Sequence, residues 1–283
     1  MGGKHQIDNK NIVHLHVPFE VITIEELLER HKATRKLQTW HVINFNALFI
    51  VTSNAGKHDI DCEEYHFKAG DIIPLVKNQI HRFHKEFPIT GTAITFTEDF
   101  ILKNISEANS LLFLKIFHLP KIQIEKDAIS LLNPFIDLLF KEQAIINTGV
   151  NADIIRSILV TVFLYIERLA PLDFVKSDTK RFKDFIKFKT LVSENFKKTH
   201  HAKDYAKLLN VSYKHINDIS KEFSGKTAKA FIDFWLVTEI KRNISQQSYN
   251  MKEISYRVGF EEPTNFIRFF KKHTGQTPKE YSL

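Results

Sequence analysis

Glu261-Glu-Pro-Thr-Asn-Phe-Ile-Arg-Phe-Phe-Lys-Lys-His-Thr-Gly-Gln-Thr-Pro-Lys-Glu-Tyr281 decides the reading of this chain, because an earlier stretch carries the same pattern. That stretch is Val211-Ser-Tyr-Lys-His-Ile-Asn-Asp-Ile-Ser-Lys-Glu-Phe-Ser-Gly-Lys-Thr-Ala-Lys-Ala-Phe231. Ile216, Ile219, Lys221, Gly225, Thr227, Lys229 and Phe231 return as Phe266, Phe269, Lys271, Gly275, Thr277, Lys279 and Tyr281. Upstream the spacing is one residue shorter, and Ala206, Leu209 and Val211 match Ser255, Val258 and Phe260. One supersecondary unit therefore occurs twice.

Each copy has the logic of a helix-turn-helix. A short helix carries a small residue, Ala206 or Ser255, where a second helix must cross closely. Asn210 or Gly259 follows, the residue types that best tolerate a left-handed backbone. Val211 or Phe260 plugs the corner. Ser212 is placed to cap the second helix of the first copy, and Pro263 occupies the favoured first position in the second. The inward positions are Ile216, Ile219 and Phe223, then Phe266, Phe269 and Phe270. The outward positions are Tyr213, Lys214, Asn217, Asp218 and Lys221, then Thr264, Asn265, Arg268, Lys271 and Lys272. These sets are polar, amide-bearing and basic, the chemistry that reads base edges and phosphates from a major groove. The amphipathic run Ala228 to Gln247 is expected to join the two units rigidly.

Charge divides the 283-residue chain in the same place. Of its 40 Lys+Arg and 33 Asp+Glu, 20 and 11 fall in residues 181–283, and 20 and 22 in the rest. The positive excess therefore belongs to the segment with the repeat, as expected where one part meets a polyanion. Residues 171–180 are mostly polar and aperiodic and read as a linker between domains 1–170 and 181–283.

The N-terminal part reads as strand over about residues 11–100, then helix. Ile12-Val-His-Leu15, Leu48-Phe-Ile-Val-Thr52, Tyr65-His-Phe67, Asp71-Ile-Ile-Pro-Leu-Val76 and Thr92-Ala-Ile-Thr-Phe-Thr97 are short strand-like runs. Turn residues such as Ser53-Asn-Ala-Gly56 and Lys68-Ala-Gly70 separate them, a pattern of sandwiches and barrels. Glu25 to Arg30 reads as a short helix. Helical spacing covers 98–118, 126–146 and 151–170. In the last, Asn151 is placed to cap, and Ile154, Ile155, Ile158, Leu159, Val162, Phe163, Ile166 and Leu169 form a wide apolar stripe for the core or a partner.

Tyr256-Arg-Val-Gly-Phe-Glu-Glu-Pro-Thr-Asn-Phe-Ile-Arg-Phe-Phe-Lys-Lys-His-Thr-Gly-Gln-Thr-Pro-Lys-Glu-Tyr281 resembles the C-terminal signature of the AraC/XylS family of transcription regulators. The first unit is similar to the family's more variable half. It departs at Asp218, where a basic residue is common, and at Ser220, where a large apolar one is common and where a loosened core is expected. Phe45 to Gly56, Glu64 to Pro74 and Asn78 to Phe83 resemble the family's cupin-type sensing domain. The resemblance implies an α+β chain: a cupin-like β-barrel with following helices, then an all-α domain of two helix-turn-helix units joined by a long helix. It implies a transcription regulator that binds double-stranded DNA, with the choice between activator and repressor left open, a small organic effector in the barrel, and a homodimer through the helices that follow. RNA polymerase is a further expected partner, and no cofactor is expected.

Trp40, His41, Phe49, His58 and His81 are the candidate effector contacts, since pockets combine aromatic walls with a few polar groups. The tight histidine pair of metal-holding cupins is absent, so no metal ligands are assigned among the 14 histidines. The single cysteine, Cys62, excludes an internal disulfide and a Cys-based zinc site, and suits a reducing cytoplasm. No basic segment followed by an apolar one opens the chain, and the run Ile158 to Ile166 is about half a bilayer span, so neither a secretion signal nor a membrane role is expected. No phosphate-binding loop, dinucleotide fingerprint or serine-nucleophile motif appears, and no enzyme is expected. Two rival readings remain: a metal-dependent cupin enzyme fused to a DNA-binding module, which metal analysis would reveal, and a helical adaptor, which would bind no duplex in a salt-dependent way.

Overall fold

The computed structural model describes residues 12–13, 17–32, 36–61, 63–77, 79–84, 89–103, 105–145, 149–170, 179–245 and 249–282. These fall into two compact units, one before residue 172 and one after it. Cys62, Asn78, Pro171 and positions 171–178 of the expected linker lie outside the described residues. Thr179 and Lys180, also assigned to the linker, open a helix instead.

The first unit is built on two five-stranded sheets. One has β1 (Ile12–Val13), β3 (His41–Ile43), β8 (Ile80–Phe83), β5 (Ala55–Ile60) and β6 (Glu63–Lys68), in that order. The other has β10 (Ile122–Gln123), β7 (Asp71–Leu75), β4 (Asn46–Ser53), β9 (Thr90–Phe96) and β2 (Phe19–Thr23). β1 and β3 are parallel and the other pairs antiparallel. Ile43, Ile60, Phe67 and Phe83 from the first sheet and Ile22, Phe49, Ile73 and Ala93 from the second share one buried core. The two sheets face each other across that core, and no ladder joins them among the described residues.

Strand runs at β4, β6, β7 and β9 follow the apolar patterns of the sequence. β3, β5 and β8 do not, because their inward positions include His41, His58 and His81. Gly91 permits the close pairing at the β4–β9 bulge: a side chain there would meet the Ile50 carbonyl at 2.0 Å.

α1 (Ile24–Lys32) lies where a short helix is expected, but the helical run 98–118 is two helices, α2 (Glu98–Leu102) and α3 (Glu107–Ile116). Thr97 and Ser106 cap them through Phe100 N and Asn109 N. A 3-10 turn (Ala128–Leu132) leads into α4 (Asn133–Gln143), and α5 spans Gly149–Leu169. Asn151 is not the cap of α5. It lies inside the helix, buried, and its Nδ2 donates to Glu142 O at 2.9 Å and Glu142 Oε2 at 2.8 Å. The α5 stripe is core. Ile155, Ile158, Leu159, Val162, Phe163 and Ile166 are buried, with Phe163 against Phe96, Phe113 and Phe117. Ile154 is 39% exposed, on the other side of the helix with Val150 and Leu164.

The second unit is all helix: α6 (Thr179–Asn195), α7 (Ala202–Leu208), α8 (Tyr213–Ser224), α9 (Ala228–Ser245), α10 (Met251–Arg257), α11 (Pro263–Thr274) and α12 (Pro278–Tyr281). Gln246 and Gln247, the end of the run expected for α9, lie outside the described residues. α9 serves two cores. Phe231 in its first half packs with Phe185 and Phe188 of α6, and Phe185 meets Phe223 of α8. Leu236 at its midpoint and Ile240 and Ile244 in its second half are buried with Ile254, Val258, Phe266 and Phe270. No helix among the described residues is long and apolar enough to cross a membrane.

Candidate nucleic-acid interface and effector site

The two repeated units close their turns identically. Val211 N donates to Ala206 O at 3.0 Å, and Phe260 N donates to Ser255 O at 2.9 Å. Asn210 has φ 55° and Gly259 φ 88°, both left-handed. Glycine is required at 259 on a second count: a Cβ there would lie 2.4 Å from Lys197 O. Ser212 accepts from His215 N and caps α8, as its position predicts. Glu262 makes no such side-chain bond, and α11 starts on Pro263. Gly225 and Gly275 end α8 and α11 in left-handed conformations, their N–H groups bonding Lys221 O and Lys271 O. Thr227 then accepts from Ala230 N, and Thr277 from Glu280 N.

Ile216, Ile219 and Phe223 are buried, as are Phe266 and Phe270, while Phe269 is half-buried between Phe260 and His273. Ser220 does not loosen the first core. It is fully buried, and its hydroxyl donates to Lys226 O at 2.9 Å, tying the end of α8 to the next turn.

On the outer faces, Tyr213, Lys214, Lys221, Thr264, Asn265, Arg268, Lys271 and Lys272 are exposed. Lys214, Lys221, Arg268 and Lys272 enter no ion pair among the described residues, so their charge remains available to a polyanion. Two positions differ from the others. Asn217 is half-buried and its Oδ1 accepts from Ala228 N at 3.2 Å, so it serves the start of α9. Asp218 is also half-buried. The exposed basic face is thus better developed on α11 than on α8. His200 lies against the second turn, its Nε2 donating to Val258 O at 3.1 Å with its ring on Phe260. Burial pushes its pKa below the usual histidine value.

In the first unit, His41, His58, His81 and Phe49 come together from four strands. His81 stands opposite His41 on β3 and opposite Ile60 on β5. The three histidines are buried. His58 Nε2 and His81 Nδ1 share a hydrogen bond of 2.8 Å, the His41 and His81 ring centroids are 4.1 Å apart, and His41 Nδ1 donates to Thr39 O. Phe83 stacks on His58 at 4.2 Å, and Phe49 and Phe67 approach it edge-on. Burial, reinforced by neighbouring histidines, holds His58 and His81 well below the ordinary histidine pKa, so these two are neutral at pH 7. The His58–His81 pair offers hydrogen-bonding atoms inside an aromatic wall.

Trp40 does not join this group. It lies under the Arg82 guanidinium, 4.6 Å from its ring centroid, and Arg82 points away from His81 across the strand. Arg82 pairs there with Asp59. Among the described residues, Asp59, Glu64 and His84 bring three metal-type ligand atoms within 4.8 Å of one another. Arg82 and Lys57 already neutralise the two carboxylates, at 2.5 and 2.9 Å, which leaves the group an ion-pair network on the outer face of the sheet.

A duplicated helix-turn-helix with an unneutralised basic face, together with a separate β-sandwich with a polar interior, defines a two-part ligand-responsive DNA-binding protein. Residues 205–282 match the family described as a helix-turn-helix domain, and residues 23–146 match the AraC-like ligand-binding domain. The chain belongs to the AraC/XylS family and is an effector-responsive transcription regulator. It is 24% identical to the lactose operon transcription activator of Staphylococcus xylosus over 85% of this chain and 84% of that one. Among solved structures it is similar to ToxT from Vibrio cholerae, at 16% identity and a TM-score of 0.47, over 93% of this chain and 97% of that one. The C-terminal domain of the response regulator yesN from Fusobacterium nucleatum covers 34% of this chain and 94% of its own length, at 21% identity and a TM-score of 0.32.

Proposed function

We propose that α8 and α11 enter successive major grooves of duplex DNA from one monomer, with α11 supplying the stronger base reading through Arg268. The observation that carries this reading is the exposed, unpaired Arg268 in the middle of the α11 outer face. An arginine there can pair bidentately with guanine. Lys214, Lys221, Lys271 and Lys272 hold phosphates, Thr264 and Asn265 border the base edges, and Tyr213 flanks the start of α8. Asn217 and Asp218 contribute little contact, since both are half-buried and Asn217 is committed to α9.

Within the same proposal, residues 1–170 are the sensing unit and 181–283 the DNA-binding unit. The effector binds at His41, His58, His81 and Phe49, and is an uncharged, hydrogen-bonding molecule, in keeping with the neutral His58–His81 pair in an aromatic wall. Homodimerisation uses the outward face of α5, where Val150, Ile154 and Leu164 are exposed. Activation is taken from the name of the staphylococcal relative, and makes RNA polymerase the further partner. The chain carries out no catalysis.

The deciding experiment is footprinting of bound DNA with and without candidate effectors, with affinity measured against salt. Affinity should fall with a log–log slope of roughly −0.9 per phosphate neutralised. A flat response to salt would overturn the DNA-facing assignment. Effector-independent binding across a panel of neutral and anionic compounds would overturn the sensing assignment alone.

A further inference from the structure

Ile267 breaks the chemistry of the α11 outer face. It is 40% exposed, on a helix whose inward side is already filled by Phe266 and Phe270 and partly by Phe269. Thr264, Ile267, Arg268 and Lys271 stand at helical spacing on one stripe, and the other three are polar or basic and exposed. An isolated exposed apolar residue needs no explanation in general. Its place is what calls for one: the centre of the face with free cations, beside Arg268. Helix propensity does not select it, because a β-branched residue is only a moderate helix former. The equivalent residue of the first unit, Asn217, is turned to α9, so the repeat does not impose an apolar residue here either.

We propose that Ile267 packs against the C5-methyl group of a thymine in the major groove, so that the second unit reads a thymine next to the base read by Arg268. Thymine is the base that presents a methyl group in that groove, and apolar side chains recognise it by contact. Docking would remove the exposed part of Ile267 from water together with that methyl. The inference rests on the assignment of α11 as a DNA-facing helix.

The test uses the full chain and duplexes it selects from a random pool. Each thymine of the selected site is replaced in turn by deoxyuridine, which removes only the methyl group. With the unaltered chain, one position should lose affinity about fourfold, the worth of one methyl-sized apolar group taken out of water. Ile267→Ala should abolish that loss and keep the salt slope, the melting temperature and the preference at the Arg268 position. Indifference of the unaltered chain to every thymine methyl, or an Ile267→Ala variant as methyl-sensitive as the parent, overturns the inference. A chain that selects no preferred sequence overturns the DNA-facing assignment itself, and the inference with it.

Discussion

The two helix-turn-helix units of the DNA-binding part agree wherever the backbone is at stake and differ where side chains face outward or meet the next helix. Asn210 and Gly259 hold left-handed turns, Gly225 and Gly275 end helices, and Thr227 and Thr277 cap the helices after them. Against these stand Asn217 and Ile267, Asp218 and Arg268, and Ser220 and Phe270. The first unit must hand the chain on to the 18-residue α9, and it spends Asn217 and Ser220 on that junction. The second leads into the four-residue α12, and Thr264, Asn265, Arg268, Lys271 and Lys272 on its outer face are exposed. A duplicated fold can thus keep its skeleton while one copy is specialised for connection and the other for reading.

Leu236→Pro should do the most damage to both units. Leu236 is fully buried at the midpoint of α9, and a proline inside a helix costs about 3 kcal/mol or more. Thermal unfolding should lose its cooperativity, and tight binding should vanish because the units are no longer held together. Preserved specific binding would show that each unit acts alone. A milder break is to exchange the reading residues. Arg268→Ala should cost about 1–3 kcal/mol of discrimination at one or two base pairs. Asp218→Ala should leave base preference unchanged in the same selection, and a matching loss would mean that both helices read DNA equally.

His58 and His81 are kept neutral by burial, so their folded pKa lies below the unfolded value of 6.5. The unfolded chain then binds more protons as pH falls through 6.5. Stability is fully present above that pH and declines below it, by about 1.4 kcal/mol per pH unit for each imidazole excluded from protonation. Melting of the full chain from pH 7 to 5 should show this slope, and His58→Gln with His81→Gln should flatten it. An unchanged slope in the double variant would place the acid sensitivity elsewhere.

Two smaller effects separate connection from contact. Asn217→Ala removes the acceptor at the start of α9 and should lower stability by about 1 kcal/mol, as lost helix caps do, with the salt dependence of binding intact. Lys272→Ala should do the reverse. It should leave melting unchanged, weaken all sequences alike, and reduce the magnitude of the salt slope by about 0.9. Exchanged outcomes for the two variants would reverse their assigned roles.

Sequence by itself determined the features that depend on a few neighbouring residues. The turns at Asn210 and Gly259, the Ser212 cap, Pro263 at a helix start and the paired glycines were legible because each is a local backbone requirement met by one residue type. The repeat made them legible twice. The apolar stripes of α8 and α11 were visible because helical period survives in sequence. Tertiary structure alone decided whether the α5 stripe faced a partner or its own core, since an amphipathic helix specifies a buried face but not what covers it. It alone joined His41, His58 and His81, which lie on strands whose polar inward residues erase the alternation that marks a strand. It alone drew Asn217 away from the outer face to Ala228 N, because a hydrogen bond between separate helices depends on how they pack, and packing is set by residues far apart in the chain.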